Sequence, residues 1–297
     1  ATTIMDGFPK VHRRVGGYNI DALAPSSEST GHNMAQLLVG SEGTLALSRR
    51  IQLKLHAIPA QRVLGVCHFS TFYAAMDATR HLVTLDPEAV ELVDHTLMKL
   101  ARDIPLFRNT LDTFVRGEPA ALLLVEYAGA ELAPLLTQLE RLNGMLGDLG
   151  FPDALVKVTD PVQQHQVWEV RKAGLNIMMS MKGEGKPVSF IEDCAVPLEH
   201  LADYTDRLTE IFHRHGTTGT WYAHASEGCL HVRPILNMKE SGDVKKMRSI
   251  AEEAFAMVRE YKGSHSGEHG DGIVRSEFHR PMFGQPLVEV FGKIKRT

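Results

Sequence analysis

Apolar residues recur along most of the chain with the period of a strand or the period of a helix. Strands are predicted over residues 45–55, 62–69, 120–128, 155–158 and 187–195. Helices are predicted over residues 34–39, 71–83, 88–102, 131–149, 161–181, 198–215 and 243–261. We interpret this order as an α+β fold, with a mainly antiparallel sheet covered by helices.

The first 57 residues differ in pattern from the rest of the chain. Residues 16–23 open with two glycines and residues 25–30 are rich in proline, serine and threonine, so both stretches are predicted to be loops. Pro59 marks a boundary, and we interpret 1–57 and 58–297 as two parts. Because the chain begins without Met and stops in what reads as an unfinished helix, we expect it to be a fragment.

The segment Tyr222–His231 reads as a β-hairpin that folds about Glu227 and Gly228. The pairs would be Ser226–Cys229, Ala225–Leu230 and His224–His231. Directly opposite residues share a face, with Cβ atoms about 4.5–5.5 Å apart. Two imidazoles held in this way form half of a metal site. The alternative is a pair of histidines on a sheet that are either satisfied by neighbouring groups or exposed at the surface.

A second segment, Ser266–Gly272, supplies the carboxylate that such a site needs. Glu268 lies in this glycine-flanked stretch, and two His with one Glu suit a catalytic divalent metal that keeps an open position. The neighbouring His269 has the natural pKa of a general base near neutral pH. The alternative for His269 is a solvated loop residue.

Two further features could bind anionic or polar groups. The turn Gly40–Thr44 offers backbone N–H groups that can cradle a ligand, although a purely structural turn explains the same residues. Arg171 lies in the helix predicted over 161–181, where its guanidinium could clamp a carboxylate or could simply be solvated.

Composition narrows the classes of partner. The net charge of −4 and the absence of a Lys/Arg run argue against nucleic acid. The longest apolar stretches are far shorter than the about 20 residues of a membrane span. Three widely spaced cysteines fit a reducing compartment, so a cytoplasmic location is expected, and they exclude a cysteine-ligated iron–sulfur cluster within this chain.

Together these segments resemble the FAD-linked oxidases of the vanillyl-alcohol oxidase and p-cresol methylhydroxylase superfamily. The similarity is strongest to the D-2-hydroxy-acid dehydrogenase branch, with D-lactate and D-2-hydroxyglutarate dehydrogenases and the flavin subunit of glycolate oxidase. Four motifs in the family's order carry the resemblance: Gly40–Thr44, Val167–Arg171, His224–His231 and Ser266–Gly272.

The resemblance implies a set of site residues. Its metal ligands would be His224, His231 and Glu268, holding a divalent metal that is most often zinc. Arg171 would bind the substrate carboxylate and His269 would take the hydroxyl proton. The flavin would be lined by Gly40, Ser41, Glu42, Gly43 and Thr44. Residues 1–57 would be the tail of the FAD-binding domain, and 58–297 the cap, or substrate, domain.

Four positions depart from the family pattern and leave the substrate open. They are Leu175, Ile191, Cys229 and Arg233. The stretch Phe190–Pro197 resembles long fusion proteins with a C-terminal iron–sulfur region, which implies an iron–sulfur electron-transfer partner or fused region. A homodimer is also left open.

The resemblance therefore implies FAD-dependent oxidation of a small D-2-hydroxy acid to the 2-oxo acid, with hydride transfer to the flavin. We expect this chain alone not to retain FAD tightly, because most of the dinucleotide-binding surface lies outside it. Two alternatives remain open. One is a metal-dependent hydrolase that uses the same His/His/Glu site, and the other is an inactive cap or assembly module.

Overall fold

The computed structural model describes residues 2–23 and 33–297. The loop predicted over 25–30 lies outside the described residues.

An eight-stranded sheet forms the centre of the fold, and all its strand pairs are antiparallel. The strands are β1 (Gln61–Phe69), β2 (Ala89–Asp94), β3 (Ala121–Gly129), β4 (Leu155–Val158), β5 (Lys186–Pro187), β6 (Cys194–Ala195), β7 (Gly219–His224) and β8 (Cys229–Leu236). Their order is β4-β1-β3-β2-β7-β8-β5, and β6 also pairs with β8. The predicted α+β class with a mainly antiparallel sheet is confirmed.

Helices cover both faces of the sheet. They are α1 (Thr2–Gly7), α2 (Met34–Leu38), α3 (Phe72–Leu82), α4 (His95–Arg102), α5 (Pro105–Phe114), α6 (Leu132–Asp148), α7 (Pro161–Lys172), α8 (Gly174–Met179), α9 (Leu201–Arg214), α10 (Ser241–Glu260), α11 (Gly272–Arg275), α12 (His279–Phe283) and α13 (Gln285–Arg296). Alternate residues of β1 enter two separate apolar cores: Val63 and Cys67 pack with α3, α6, α9 and α10, whereas Leu64 and Val66 pack with α4, α5, α7 and α8.

The helix predicted over 88–102 is wrong in its first half, where β2 forms instead. Within β2, Val90 and Leu92 enter one core and Val93 enters the other, which is the period of a strand. The strand gains backbone hydrogen bonds on both sides, from β3 and β7. Asp94 then starts α4 by accepting a hydrogen bond from the N–H of Leu97 at 2.7 Å.

The strand predicted over 45–55 is also wrong. This segment has no regular structure, and its apolar side chains are exposed, with Leu47 at 97%. A strand needs a partner for its backbone groups, and no other described segment pairs with this one.

Three smaller differences concern element boundaries. The strand predicted over 187–195 is reduced to the two-residue strands β5 and β6, because residues 188–193 bulge out of the ladder opposite the shorter stretch 231–234, and Asp193 at the end of the bulge has φ +60°. The helix predicted over 161–181 is divided into α7 and α8. Helices α1, α5, α11 and α12 were not predicted, α13 corresponds to the helix that the sequence indicated around residues 295–297, and the other predicted elements are confirmed to within a few residues.

The hairpin forms with a different register from the predicted one. His224 pairs with Cys229 and Tyr222 pairs with His231, so the predicted pairing of His224 with His231 is wrong. The reason is a longer turn: Ala225–Glu227 form a 3₁₀ turn, and Gly228 closes it with φ +63°.

We expect Gly228→Ala to lower the free energy of unfolding by about 1–3 kcal/mol. A methyl group here would lie 2.1 Å from the carbonyl oxygen of Val196, on a backbone that already requires φ +63°. Urea unfolding provides the measurement. Gly144→Ala is the matched control, because Gly144 lies in α6 with nothing within 4 Å, and that substitution should be neutral or stabilising. Equal stability of Gly228→Ala and the unsubstituted protein would contradict this reading of the turn.

Candidate functional site

The two histidines of the hairpin stand on one face of the sheet, near the turn. His231 lies opposite Tyr222 and therefore diagonal to His224. Their rings approach with centroids 5.0 Å apart and planes at 85°. The register error of two residues leaves both side chains on the same face, because strand side chains alternate with a period of two.

Glu268 completes this group from a loop that is distant in sequence. Its Oε2 atom lies 3.5 Å from His224 Nε2 and 3.6 Å from His231 Nε2. The candidate ligand atoms of the three side chains all lie within 4.8 Å of one another. The structure thus brings together the three residues that the sequence proposed as ligands, and we call them the first cluster.

Asp193 holds the loop that carries Glu268. Its carboxylate accepts hydrogen bonds from the backbone N–H groups of Glu268 and His269, both at 2.7 Å, and it pairs with Arg275. The Asp193 side chain is completely buried. Gly267 allows the close approach, because a Cβ there would lie 2.6 Å from the carbonyl oxygen of Asp193. The position of Glu268 is therefore fixed from outside its own loop.

The second ring nitrogen of His224 is bound by a carboxylate. His224 Nδ1–H donates to Glu91 Oε1 at 2.7 Å, and these two residues are opposite each other on β7 and β2. This hydrogen bond raises the pKa of His224, and the charges of Glu91 and Glu268 raise it further against the effect of burial. Nε2 is left facing Glu268.

The Nδ1 atom of His231 also faces a carboxylate, 3.4 Å from Glu192 Oε1, but this contact lacks hydrogen-bond geometry. Glu192 is 1% exposed, pairs with Arg233 at 2.6 Å and accepts hydrogen bonds from Tyr222 and Ser189. Burial acts to raise the pKa of Glu192, but its contacts with His231, Arg233 and Ser189 outweigh that effect and hold the pKa well below the ordinary value. Glu192 is thus an ionised, buried support for His231.

Arg171 is not a solvated helical arginine. Its side chain is largely buried, its Nη2 donates to Glu91 Oε2 at 2.6 Å, and its guanidinium carbon lies 4.9 Å from the centre of the Tyr222 ring. Arg171, Glu91 and His224 therefore form a continuous chain of contacts into the first cluster. The Nε atom of Arg171 has no hydrogen-bond partner among the described residues.

His269 lies beside the first cluster with an accessible ring. The ring stacks on that of His231, with centroids 5.3 Å apart and planes at 22°. Its side chain is 45% exposed, and its Nδ1 atom is 4.0 Å from Asp193 Oδ2. A ring in this position can exchange a proton with a ligand bound at the first cluster.

The turn Gly40–Thr44 contacts the other end of the same loop. Glu42 accepts hydrogen bonds from the N–H groups of Asp271, at 2.6 Å, and Gly272, at 3.1 Å. The turn also lines a cavity of about 350 Å³ together with Tyr18, Phe291 and other residues of the chain's two ends. The Glu42 carboxylate is thus occupied by backbone groups, whereas Gly40, Ser41 and Thr44 border the cavity.

The positions that depart from the family pattern have distinct environments. Ile191 is fully buried in the apolar core and Cys229 is buried, so both pack rather than face open space. Leu175 is partly exposed on α8. Arg233 is committed to Glu192.

Sequence reasoning missed several residues around the first cluster. Arg13, from the first part of the chain, places its Nη1 atom 3.0 Å from Glu268 Oε1. Glu91 and Glu192 support the two histidines. The signal that could have found these carboxylates is their place in apolar runs, Ala-Val-Glu-Leu-Val and Phe-Ile-Glu, where a charged side chain needs a partner.

Comparison with known proteins identifies the class. The family model described as "FAD linked oxidases, C-terminal domain" matches residues 58–297. The match covers most of the chain, so the protein belongs to this family, and the resemblance inferred from its motifs is confirmed.

Individual relatives have names that are more specific than the family description. The chain is 29% identical to D-2-hydroxyglutarate dehydrogenase of Pantoea ananatis over 98% of its own length and 29% of the relative's length. It is 25% identical to the mitochondrial D-lactate dehydrogenase [cytochrome] of Kluyveromyces lactis, over 91% of this chain and 46% of that protein. The chain thus spans less than a third of the first of these curated relatives and about half of the second.

Solved structures share the fold. An alkyldihydroxyacetonephosphate synthase aligns with a TM-score of 0.56 at 14% identity, covering 89% of this chain and 47% of that chain. A p-cresol methylhydroxylase aligns with a TM-score of 0.56 at 11% identity, over 80% of this chain and 50% of that one. At such identities the likeness concerns the fold alone. Separately, no helix within residues 2–23 and 33–297 is both long and apolar enough to cross a membrane.

Proposed function

We propose that this protein takes part in the FAD-dependent oxidation of a small D-2-hydroxy acid to the corresponding 2-oxo acid, with a divalent metal at the first cluster. One observation carries the proposal. Both histidines direct Nε2 at the same Glu268 oxygen, while the Nδ1 atom of each faces another carboxylate. Histidines that bind metals commonly use their other nitrogen in this way.

The donor set fits a divalent metal such as zinc. Ligand atoms about 2.1 Å from a tetrahedral ion lie about 3.4 Å apart. The distances of 3.5 and 3.6 Å from Glu268 to the two imidazoles are close to this value. His224, His231 and Glu268 would hold the ion and leave a position for substrate. When bound, the ion would supply Lewis acidity that lowers the pKa of the substrate hydroxyl.

The side chains around the first cluster have separable tasks. The exposed ring of His269 would accept the hydroxyl proton, a contribution of about 10²–10⁴-fold in rate. Arg171 would bind the substrate carboxylate through N–H groups that Glu91 leaves free. Glu91 itself keeps the guanidinium fixed, which reduces the entropy lost on binding.

The flavin would lie against the turn Gly40–Thr44. This turn and Tyr18 border the cavity of about 350 Å³, which lies within the usual size range of ligand pockets. FAD, when bound, would accept the hydride from the substrate carbon. Residues 1–57 would belong to the FAD-binding domain and 58–297 to the substrate domain, and Arg13 links the first part to Glu268.

The relatives support the substrate class. Proteins named D-2-hydroxyglutarate dehydrogenase and D-lactate dehydrogenase match nearly the whole chain. Both names denote oxidation of D-2-hydroxy acids. An iron–sulfur electron-transfer partner, a homodimer and a cytoplasmic location stay predictions.

The test is anaerobic mixing of D-2-hydroxyglutarate, D-lactate and glycolate with a flavin-loaded, full-length protein that contains this chain, because we expect the chain alone not to retain FAD tightly. We expect at least one of them to bleach the flavin absorbance, with turnover when an artificial acceptor is added. The L-enantiomers of the first two acids are the matched controls and should leave the flavin oxidised. Chelation of the metal should lower turnover by at least about 100-fold.

Two results would contradict the proposal. One is an oxidised flavin after mixing with every D-2-hydroxy acid. The other is zinc-dependent ester or peptide hydrolysis without flavin reduction, which would favour the metal-dependent hydrolase.

A further inference from the structure

A second group of titratable side chains lies in the part of the chain that follows α10, and the proposed reaction does not use it. It consists of His265, Asp271 and His279, which we call the second cluster. We propose that the second cluster is a binding site for a divalent transition-metal cation such as zinc, distinct from the first cluster. It shares no residue with that cluster and does not depend on the proposed oxidation.

The geometry of the second cluster converges on one carboxylate. His265 Nε2 lies 3.1 Å from Asp271 Oδ1, and His279 Nε2 lies 2.5 Å from Asp271 Oδ2. The candidate ligand atoms of the three residues all lie within 4.8 Å of one another. Two imidazoles and one carboxylate form a donor set that suits zinc. The shorter contact is a hydrogen-bond distance, so the partly exposed His279 would shift by roughly 1 Å to receive an ion.

Burial gives an independent reason to expect a ligand. The His265 side chain is 0% exposed, and neither of its ring nitrogens has a hydrogen-bond partner in the described residues. Asp271 Oδ1, which faces it, is likewise without one. Buried polar atoms without partners are costly, at about 1–3 kcal/mol each. A cation between Nε2 and Oδ1 would satisfy both atoms.

Hydrogen bonds and ion pairs of Asp271, without a metal, explain only half of this arrangement. They account for Asp271 Oδ2, which accepts from His279 and from the backbone N–H of Gly17 at 2.8 Å. They do not account for the pair His265 Nε2 and Asp271 Oδ1, which are close together but not in hydrogen-bond geometry.

The surroundings support a structural ion with access from one side. The rings of Phe255 and Phe283 meet the His265 ring at centroid distances of 5.7 and 6.0 Å. Asp271 and His279 also line the cavity of about 350 Å³ beside Gly40–Thr44. An ion could enter from this cavity, and a water there could occupy a fourth position.

The second cluster lies where the two parts of the chain are in contact. A Cβ placed on Gly16 would lie 2.9 Å from His265 Cε1, so the backbone of the first part packs closely against the second cluster. Gly17 binds Asp271 directly. A bound ion would therefore fix His265 and Asp271 in the positions against which residues 16–17 pack.

The experiment is zinc analysis of the purified protein after incubation with Zn²⁺ and dialysis. If both clusters bind, we expect two equivalents in the unsubstituted protein and one in His279→Gln. Glu268→Gln, which removes a ligand of the first cluster only, should also retain one, and the double variant should retain none. Zinc should raise the Tm of Glu268→Gln but not that of the double variant. His213→Gln, at an exposed position on α9, is the matched control and should bind as much zinc as the unsubstituted protein.

Each cluster can fail separately in this design. Zinc-free Glu268→Gln with a folded circular-dichroism spectrum would overturn the second site, as would unchanged zinc content in His279→Gln. If His279→Gln contained no zinc while Glu268→Gln retained one equivalent, the second site would be supported. The first cluster would then bind no zinc, which would contradict the metal in the proposed oxidation.

Discussion

Glu268→Gln is expected to weaken zinc binding at the first cluster by at least about 100-fold, because loss of a supporting residue alone typically costs 10–100-fold and Glu268 would be a direct ligand. An amide is a poorer ligand than a carboxylate and carries no charge to balance the ion. The measurement is a chelator-competition titration, made in protein that also carries His279→Gln so that only one cluster can bind. In the full-length, flavin-loaded protein, turnover should fall in parallel and should recover in part when zinc is added in excess.

Glu227→Gln is the matched control for this prediction. Glu227 is a carboxylate near the same place, and it contacts His12 at 2.6 Å and Arg13 at 3.5 Å. It does not belong to the first cluster. Its substitution should change zinc affinity by less than about threefold, the range expected for a surface ion pair. Similar losses in both variants would show that general negative charge, and not ligation by Glu268, attracts the ion.

The first cluster could be predicted from the sequence because the prediction depended on faces and not on exact pairing. The hairpin was assigned with a two-residue turn, whereas Ala225–Gly228 form a four-residue turn. The resulting shift is even, so His224 and His231 stay on one face. A shift of one residue would have placed them on opposite faces of the sheet. The metal site predicted from the motifs would then have been wrong.

The place of Glu91 and Glu192 in apolar runs marks them as charges that need a partner, but which residues they support could not be predicted, because that depends on contacts between distant segments. Glu91 lies 80 positions before Arg171 and 133 positions before His224, and it contacts both. Residues 88–102 carry apolar side chains that fit either a helix or a strand, and only pairing with β3 and β7 decides the outcome for 89–94. The strand predicted over 45–55 failed for the complementary reason, since its pattern is correct for a strand but no described segment pairs with it.

One buried carboxylate holds the part of the loop that carries Glu268 and His269. Asp193 combines three roles: it accepts two backbone N–H groups, it neutralises Arg275, and its own backbone is left-handed with φ +60°. An amide can keep the left-handed backbone, because Asn tolerates that conformation. It cannot neutralise Arg275, and its NH₂ group would face donors.

Asp193→Asn is therefore expected to lower the free energy of unfolding by about 3–5 kcal/mol, the usual cost of leaving one charge of a buried pair uncompensated. Denaturant unfolding provides the measurement. Asp153→Asn is the control, since Asp153 has the same left-handed backbone, with φ +59°, at an exposed position, and it should change stability by less than about 0.5 kcal/mol.

The double variant Asp193→Asn/Arg275→Met distinguishes two effects of Asp193: its ion pair with Arg275 and its hydrogen bonds to the loop that carries Glu268. Removal of both charges should recover much of the lost stability, because the buried cation is then absent. Zinc affinity at the first cluster should be lower than in the unsubstituted protein in both the single and the double variant, because in each of them Glu268 and His269 have lost the carboxylate that accepts their N–H groups. Recovery of stability together with full zinc affinity would mean that the loop holds its position without Asp193. Failure to recover either would mean that the two N–H contacts, and not the pairing with Arg275, account for most of the stabilisation by Asp193.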